Sequence, residues 1–183
     1  MKRIIIIIIA IILGNNASAQ APIQTKFWGV EFSKHYDSIY DARKIINDQC
    51  ELSFVISDMI TVVGGKFGGR IWPLAKFEFG NINGKYLLCN VSFIKNFNNL
   101  PDAEQEQDEL TEALKSKYGG YKTTELGTYL RPRVWATHDK RNACILIIHP
   151  KIGDEGEKLW SLYLAYQDVE VYDIIQQQNA DEL

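Results

Sequence analysis

Residues 68–93 read GGRIWPLAKFEFGNINGKYLLCNVSF, and this stretch decides the fold. Its first half alternates between two sides, which is the period of a β-strand with one buried face. Four apolar residues fall on one side: Ile71, Ala75, Phe77 and Phe79. The other side carries a mixed set: Arg70, Trp72, Lys76 and Glu78. We therefore predict a half-buried strand over this half.

The second half of the stretch has the same period. Its apolar positions share one face: Leu87, Cys89, Val91 and Phe93. Asn90 and Ser92 fall on the opposite face. Between the two halves, residues 80–84 are rich in Asn and Gly, which tolerate the positive φ of a hairpin connection. Because one hairpin cannot bury its apolar side alone, the rest of the chain must cover it.

The rest of the chain alternates helical and β-rich segments. Apolar spacing, capping residues and charge distribution predict helices over residues 34–47, 102–118 and 170–178. Further strands are predicted at residues 54–56, 59–63, 133–137, 143–149 and 159–167. Together these segments predict an α+β fold, an antiparallel sheet with helices packed on one face.

A short sequence repeat within the chain suggests two tandem units, each made of a helix followed by a β-meander. Arg70-Ile71-Trp72 and Arg133-Val134-Trp135 share the order Arg, β-branched residue, Trp. Each is preceded by a predicted helix and a turn-rich segment. The halves would be residues 27–98 and 99–173 of a single domain.

Composition and charge limit the classes of protein. The chain has 183 residues, 46% hydrophobic and 23% charged, which is typical of an ordinary globular domain. Its formal net charge is -3, and no dense Lys/Arg cluster marks a nucleic-acid surface. We expect no binding to DNA or RNA.

The first residues have the pattern of a secretory signal peptide. Lys2 and Arg3 precede an apolar run, Ile4–Leu13, and small residues follow at 17–19. That run is shorter than the roughly 20 residues that cross a bilayer, so we expect cleavage after residue 19 and no membrane span in the mature chain. Residues 20–183 would form a soluble exported domain, periplasmic or extracellular.

Three cysteines, Cys50, Cys89 and Cys144, would then meet an oxidising compartment. The sequence does not choose among their three pairings, and their spacing matches no zinc site. Cys89 and Cys144 lie in apolar strand runs, which favours a structural role for both.

The order of elements resembles the tandem fold of the β-lactamase-inhibitor-like proteins. That order is a helix, a Gly-rich meander, a second helix ending in Lys117-Tyr118-Gly119, and another meander. It is also similar to the small envelope lipoprotein domains of the SmpA/OmlA type, although no lipoprotein Cys follows the apolar run. The likeness covers residues 27–173 and transfers no binding residues. It implies an exported protein whose sheet grips another protein with aromatic side chains on its open face.

Residue types that dominate protein interfaces give the candidate binding set. Its members are Arg70, Trp72, Lys76, Arg133, Trp135, Trp160 and Tyr166. On the alternating pattern, Trp72 shares its side with charged residues. The alternative is that helices or loops cover these rings as a second small core.

Three functions follow from these patterns. The first is an exported, non-catalytic module that binds a protein or an envelope component through a sheet face. The second is a pocket protein that holds a small apolar ligand. The third is a hydrolase in which His138 or His149 meets Cys144 or a carboxylate. No catalytic motif accompanies the histidines, and the glycines of 64–69 lack the Lys-Ser/Thr of a phosphate loop, so we expect no enzyme, no cofactor and no metal. The sequence leaves the oligomeric state open.

Overall fold

The structure is a computed structural model that describes residues 21–47, 50, 52–123, 129–137, 139–154 and 156–181. It confirms an α+β fold with a mostly antiparallel sheet. The elements, in chain order, are β1 (Lys26–Phe27), β2 (Val30–Glu31), β3 (His35–Tyr36), α1 (Ile39–Asn47), β4 (Leu52–Ile56), β5 (Met59–Phe67), β6 (Arg70–Ile82), β7 (Lys85–Phe97), α2 (Leu100–Tyr118), β8 (Lys122–Thr123), β9 (Leu130–Ala136), β10 (Asn142–Ile152), β11 (Lys158–Asp168) and α3 (Val169–Asp181).

The central hairpin forms where the sequence predicts it. β6 and β7 pair antiparallel and are joined by Asn83 and Gly84, with φ of 54° and 77°. Positive φ at both loop residues is the signature of a type I′ turn, whose twist matches the strands. The register shifts between Glu78 and Phe79, so Cys89 is an extra residue on β7.

The helix limits agree with the sequence except at the start of α1. α2 begins after Asn99, whose side chain accepts a hydrogen bond from the Asp102 amide at 2.9 Å, and ends at Gly119 with φ 79°. The predicted first turn of α1 is wrong, because residues 35–36 pair with β7 as β3 instead. Ser38 caps the shorter helix by accepting from the Asp41 amide.

The described chain divides into two compact units. Unit A comprises the described residues within 24–94 and 165–181, and unit B comprises those within 21–23 and 95–164. In unit A the strand order is β4-β5-β6-β7, with β3 also paired to β7. In unit B the order runs from the first part of β11 through β10 and β9 to β8.

An aromatic cluster forms the core of unit A on the side that faces α1. The rings of Phe67 and Phe93 stack at 4.1 Å, and Phe27 lies 5.0 Å from Tyr166 between centroids. α1 is fastened to the same side, because Arg43 donates to the Ser53 hydroxyl at 3.1 Å. This side of the sheet is therefore a closed hydrophobic core.

Trp72 belongs to this core, so its predicted position on a polar side is wrong. Its ring centroid lies 5.6 Å from that of Phe93, and Trp72 is 2% exposed while its neighbour Ile71 is 74% exposed. The cause is a local irregularity. Gly64 has φ 70°, and no pair of the β5–β6 register joins Gly64 to Pro73. At Trp72 and Ile71, which follow this point towards the start of β6, each side chain faces the side opposite to the one that strict alternation predicts.

Unit A carries helices on both sides of its sheet. A side chain at Gly80 would collide with Ile175 of α3, so α3 packs directly over this glycine. Along β6, Gly80 and Phe79 face opposite sides of the sheet. α1 covers the Phe79 side, so α3 packs on the other side. The prediction of helices on one face is therefore wrong for this unit.

The two similar tripeptides, Arg70-Ile71-Trp72 and Arg133-Val134-Trp135, do not occupy equivalent strands after their helices. Trp72 is in β6, the third described strand after α1, whereas Trp135 is in β9, the second described strand after α2. The repeat of two equivalent units, with halves at residues 27–98 and 99–173, stays a prediction.

Candidate binding surface

The side of the unit A sheet opposite α1 has a distinct composition. We call this surface the outer face and define it by twelve side chains that the strand register arranges in three rows. The rows are Leu52, Val63, Leu74 and Ile94; Phe54, Thr61, Lys76 and Ser92; and Ile56, Met59, Glu78 and Asn90. Each row runs across β4, β5, β6 and β7 in turn.

Exposure is highest at the β4 end of these rows, although Thr61 on β5 is buried. The exposed fractions are 55% for Leu52, 38% for Phe54, 54% for Ile56 and 41% for Val63. Side chains on β6 are half-buried and those on β7 are buried. Four large apolar side chains therefore form one continuous exposed patch on neighbouring strands. Contiguous apolar surface of this kind is typical of interaction sites.

The inner part of the outer face is polar. The Asn90 amide donates to the Ser92 hydroxyl at 3.0 Å, and both residues are buried. Burial raises the pKa of the neighbouring Glu78 carboxyl, while the Asn90 amide and the Lys76 charge oppose that rise. The buried Thr61 hydroxyl has no hydrogen-bond partner within the described part of the chain. Burying a polar group on a central strand costs free energy when the group has no hydrogen-bond partner. The polar side chains of Thr61, Glu78, Asn90 and Ser92 are therefore an unusual feature of a sheet face.

β4 is a terminal strand of the unit A order. Its sequence, Leu52-Ser53-Phe54-Val55-Ile56, contains neither a charged residue nor proline. Natural edge strands are commonly protected by such residues, because an unpaired edge invites another strand. The sequence predicts a strand at residues 54–56 but does not predict this exposed surface. The sequence signal that could have indicated this surface is an apolar strand, at the end of the hairpin series, that carries no charged residue.

Four of the seven predicted interface residues are buried. Trp72, Arg133, Trp135 and Tyr166 each expose 5% of their surface or less. The Trp72 indole donates to the Phe67 carbonyl at 3.2 Å, and the Trp135 indole donates to the Gly119 carbonyl at 3.0 Å. Both indole N–H groups therefore have hydrogen-bond partners inside the fold. This agrees with the alternative that helices or loops cover these rings.

Arg133 fastens α2 to β9 in unit B. Its guanidinium donates to Asp108 at 2.6 Å and to the Gln107 carbonyl at 3.1 Å, and it also contacts the Thr111 hydroxyl. The Tyr121 ring lies 5.5 Å from its guanidinium carbon. The Arg133 hydrogen bond holds the pKa of Asp108 below its ordinary value. This arrangement has the geometry of a structural tie between helix and sheet.

The remaining predicted residues are half-buried and not gathered in one place. Arg70 begins β6, and Lys76 lies on the outer face of the same strand. Trp160 lies on β11 of unit B with the Lys158 ammonium 4.5 Å from its ring centroid. Of the seven, Lys76 is therefore the residue that the structure brings into the outer face.

Two of the groups considered for catalysis, Cys144 and His149, lie on β10. Cys89 and Cys144 are buried, Cys50 is half-buried, and the structure joins no two of them in a disulfide. His149 lies 4.9 Å from the Tyr129 ring, and burial lowers the pKa of its imidazole. His138 lies outside the described residues.

The described residues contain neither a cluster of metal ligands nor a helix able to span a membrane. No three His, Cys, Asp or Glu side chains of that part of the chain gather in a way that could hold a metal ion. None of its helices combines the length and the apolar character needed to cross a membrane. The predicted signal peptide, residues 1–19, lies outside the described residues.

Comparison with known proteins adds no relative. No protein family, no curated protein and no solved structure matches this chain.

Proposed function

We propose that this chain is an exported, non-catalytic binding module that holds a protein partner on the outer face of unit A. The observation that carries the proposal is the continuous exposed patch of Leu52, Phe54, Ile56 and Val63. Burying such a patch releases roughly 25 cal/mol for each Å² of apolar surface that leaves water. Export by the N-terminal segment, and a partner in the envelope or the medium, are parts of the same proposal.

The arrangement of the outer face supports a protein partner over a small apolar ligand. Its exposed apolar side chains lie on β4 and β5, while Lys76 and Glu78 lie half-buried on β6. Apolar contact supplies affinity in protein interfaces, and charges beside it fix orientation and specificity. A surface that grades from exposed apolar side chains to half-buried charged ones fits a folded or extended polypeptide.

The test is a pull-down from envelope and medium fractions of the producing cells, with the protein expressed from its full sequence as bait. Val63→Glu places a carboxylate within the patch, on β5 directly opposite Leu52. Ile152→Glu is the matched control, because Ile152 is a 67% exposed isoleucine on β10 of unit B. We expect a partner that is retained by the wild type and by Ile152→Glu and is lost with Val63→Glu.

Far-UV circular dichroism checks that both variants are folded. A partner retained equally by all three proteins contradicts the proposed surface. Retention by none of them contradicts a stable protein partner and favours the alternative of a small apolar ligand.

A further inference from the structure

Three half-buried aromatic side chains lie close together in unit B, apart from the outer face of unit A. They are Tyr129, His149 and Tyr163. The rings of Tyr129 and His149 are 4.9 Å apart between centroids and inclined at 47°. Burial raises the pKa of the Tyr129 phenol, and so does the nearby Tyr163 phenol. The three rings therefore form one cluster, which we call the aromatic site.

The aromatic site faces away from α2. Arg133 of β9 donates to α2, and Leu146 of β10 stands directly opposite Arg133 in the register. The register shift that follows leaves its extra residue on β9, so β10 continues its regular alternation. His149, three residues after Leu146, therefore points to the other side of the sheet. α2 packs on the side of Arg133 and Leu146 and does not cover the aromatic site.

The phenol of Tyr163 belongs to a short chain of hydrogen bonds. Burial raises the pKa of this phenol, while a hydrogen bond with the Ser161 side chain opposes that rise. The Ser161 hydroxyl itself donates to the Asn96 side-chain oxygen at 2.7 Å. These contacts restrain Tyr163 within unit B, and a restrained polar group binds a ligand at a lower entropic cost.

The three groups of the aromatic site are neutral at pH 7. Burial raises the pKa of both phenols and lowers the pKa of the His149 imidazole. Neutral phenols and a neutral imidazole each donate and accept hydrogen bonds, while their rings present apolar faces. A charged ligand would find no opposite charge among these three groups. A pyranose sugar has the complementary set, because its hydroxyls both donate and accept and its C–H groups form an apolar face.

We propose that the aromatic site of unit B binds a neutral sugar. The apolar C–H face of the sugar would lie against the rings of Tyr129 and His149, and one of its hydroxyls would bond the Tyr163 phenol. This inference concerns unit B and does not require the proposed protein partner of unit A.

Saturation-transfer difference NMR tests the proposal with three trisaccharides: maltotriose, cellotriose and tri-N-acetylchitotriose. We expect the wild type to transfer magnetisation to at least one of them, and titration of that sugar gives its dissociation constant. Tyr129→Ala should weaken binding about tenfold, because it removes a ring from the contact. Tyr163→Phe should weaken binding about threefold to tenfold, because it keeps the ring and removes the hydroxyl.

Tyr40→Ala is the matched control, because Tyr40 is a 58% exposed tyrosine on α1 of unit A. Thermal unfolding of each protein checks that it is folded. A wild type that transfers magnetisation to none of the three sugars overturns the proposal. So does a folded Tyr129→Ala or Tyr163→Phe protein that binds as tightly as the wild type. Val63→Glu separates the two proposals, because it should abolish partner capture and leave sugar binding unchanged.

Discussion

Trp72 and Ile71 are neighbours whose energetic contributions should differ widely. Trp72→Ala removes a buried indole that contacts Phe93 and donates to the Phe67 carbonyl. Large-to-small core substitutions of aromatic residues cost about 3–5 kcal/mol. Ile71→Ala removes an exposed side chain, for which we expect a change within about 0.5 kcal/mol. Trp72→Phe should fall between them at about 1–2 kcal/mol, because it keeps a ring and leaves the carbonyl without its donor.

The assay is urea unfolding followed by far-UV circular dichroism, which does not depend on the replaced fluorophore. Midpoints and slopes of the three variants are compared with those of the wild type at one pH and one protein concentration. The strand alternation of the sequence alone assigns Ile71 to the core and Trp72 to the polar side. A greater loss of stability in Ile71→Ala than in Trp72→Ala would therefore refute the inverted alternation at Gly64 and Pro73.

Two other predictions concern Asp108 and the cysteines. Asp108→Asn should lower the free energy of unfolding by about 1 kcal/mol at neutral pH, a small value because the Asp108 carboxylate is half exposed. The pKa of Asp108 is depressed in the folded state, so its stabilisation is present above the unfolded pKa and is lost as the pH falls through the folded pKa. The free energies of unfolding of wild type and Asp108→Asn, measured in urea, should therefore converge in acid. A difference that stays constant with pH would contradict the Arg133 interaction. Alkylation of the native protein should modify Cys50 well before Cys89, whose thiol pKa is raised by burial, and before the buried Cys144. Peptide mass mapping that finds all three equally modified, or finds a disulfide, would contradict the burial of Cys89 and Cys144 as reduced thiols.

Local signals in the sequence predicted local structure well. Asn83-Gly84 allowed the hairpin turn to be located, and Gly119 marked the end of α2 because positive φ suits glycine. The start of α1 was missed because residues 35–36 pair with a distant strand, and tertiary pairing overrides helical spacing.

The candidate surface was harder to predict than the fold. Alternation assigns side chains to two faces, but it does not tell which face another element covers. Trp72 shows a second reason, since one glycine with positive φ reverses the assignment for the residues beyond it. Phe54 and Ile56 were recognised as strand residues, and their exposure depends on a sheet order that no local pattern encodes.

The central claim is that the outer face of unit A binds a protein, and photo-cross-linking in the producing cells tests it most directly. A photoreactive phenylalanine analogue in place of Val63 reports what lies against the patch, and the same analogue in place of Ile152 serves as the control. We predict an adduct with a second protein from position 63 and none from position 152. Adducts from position 152 alone, or from neither position, would contradict the claim.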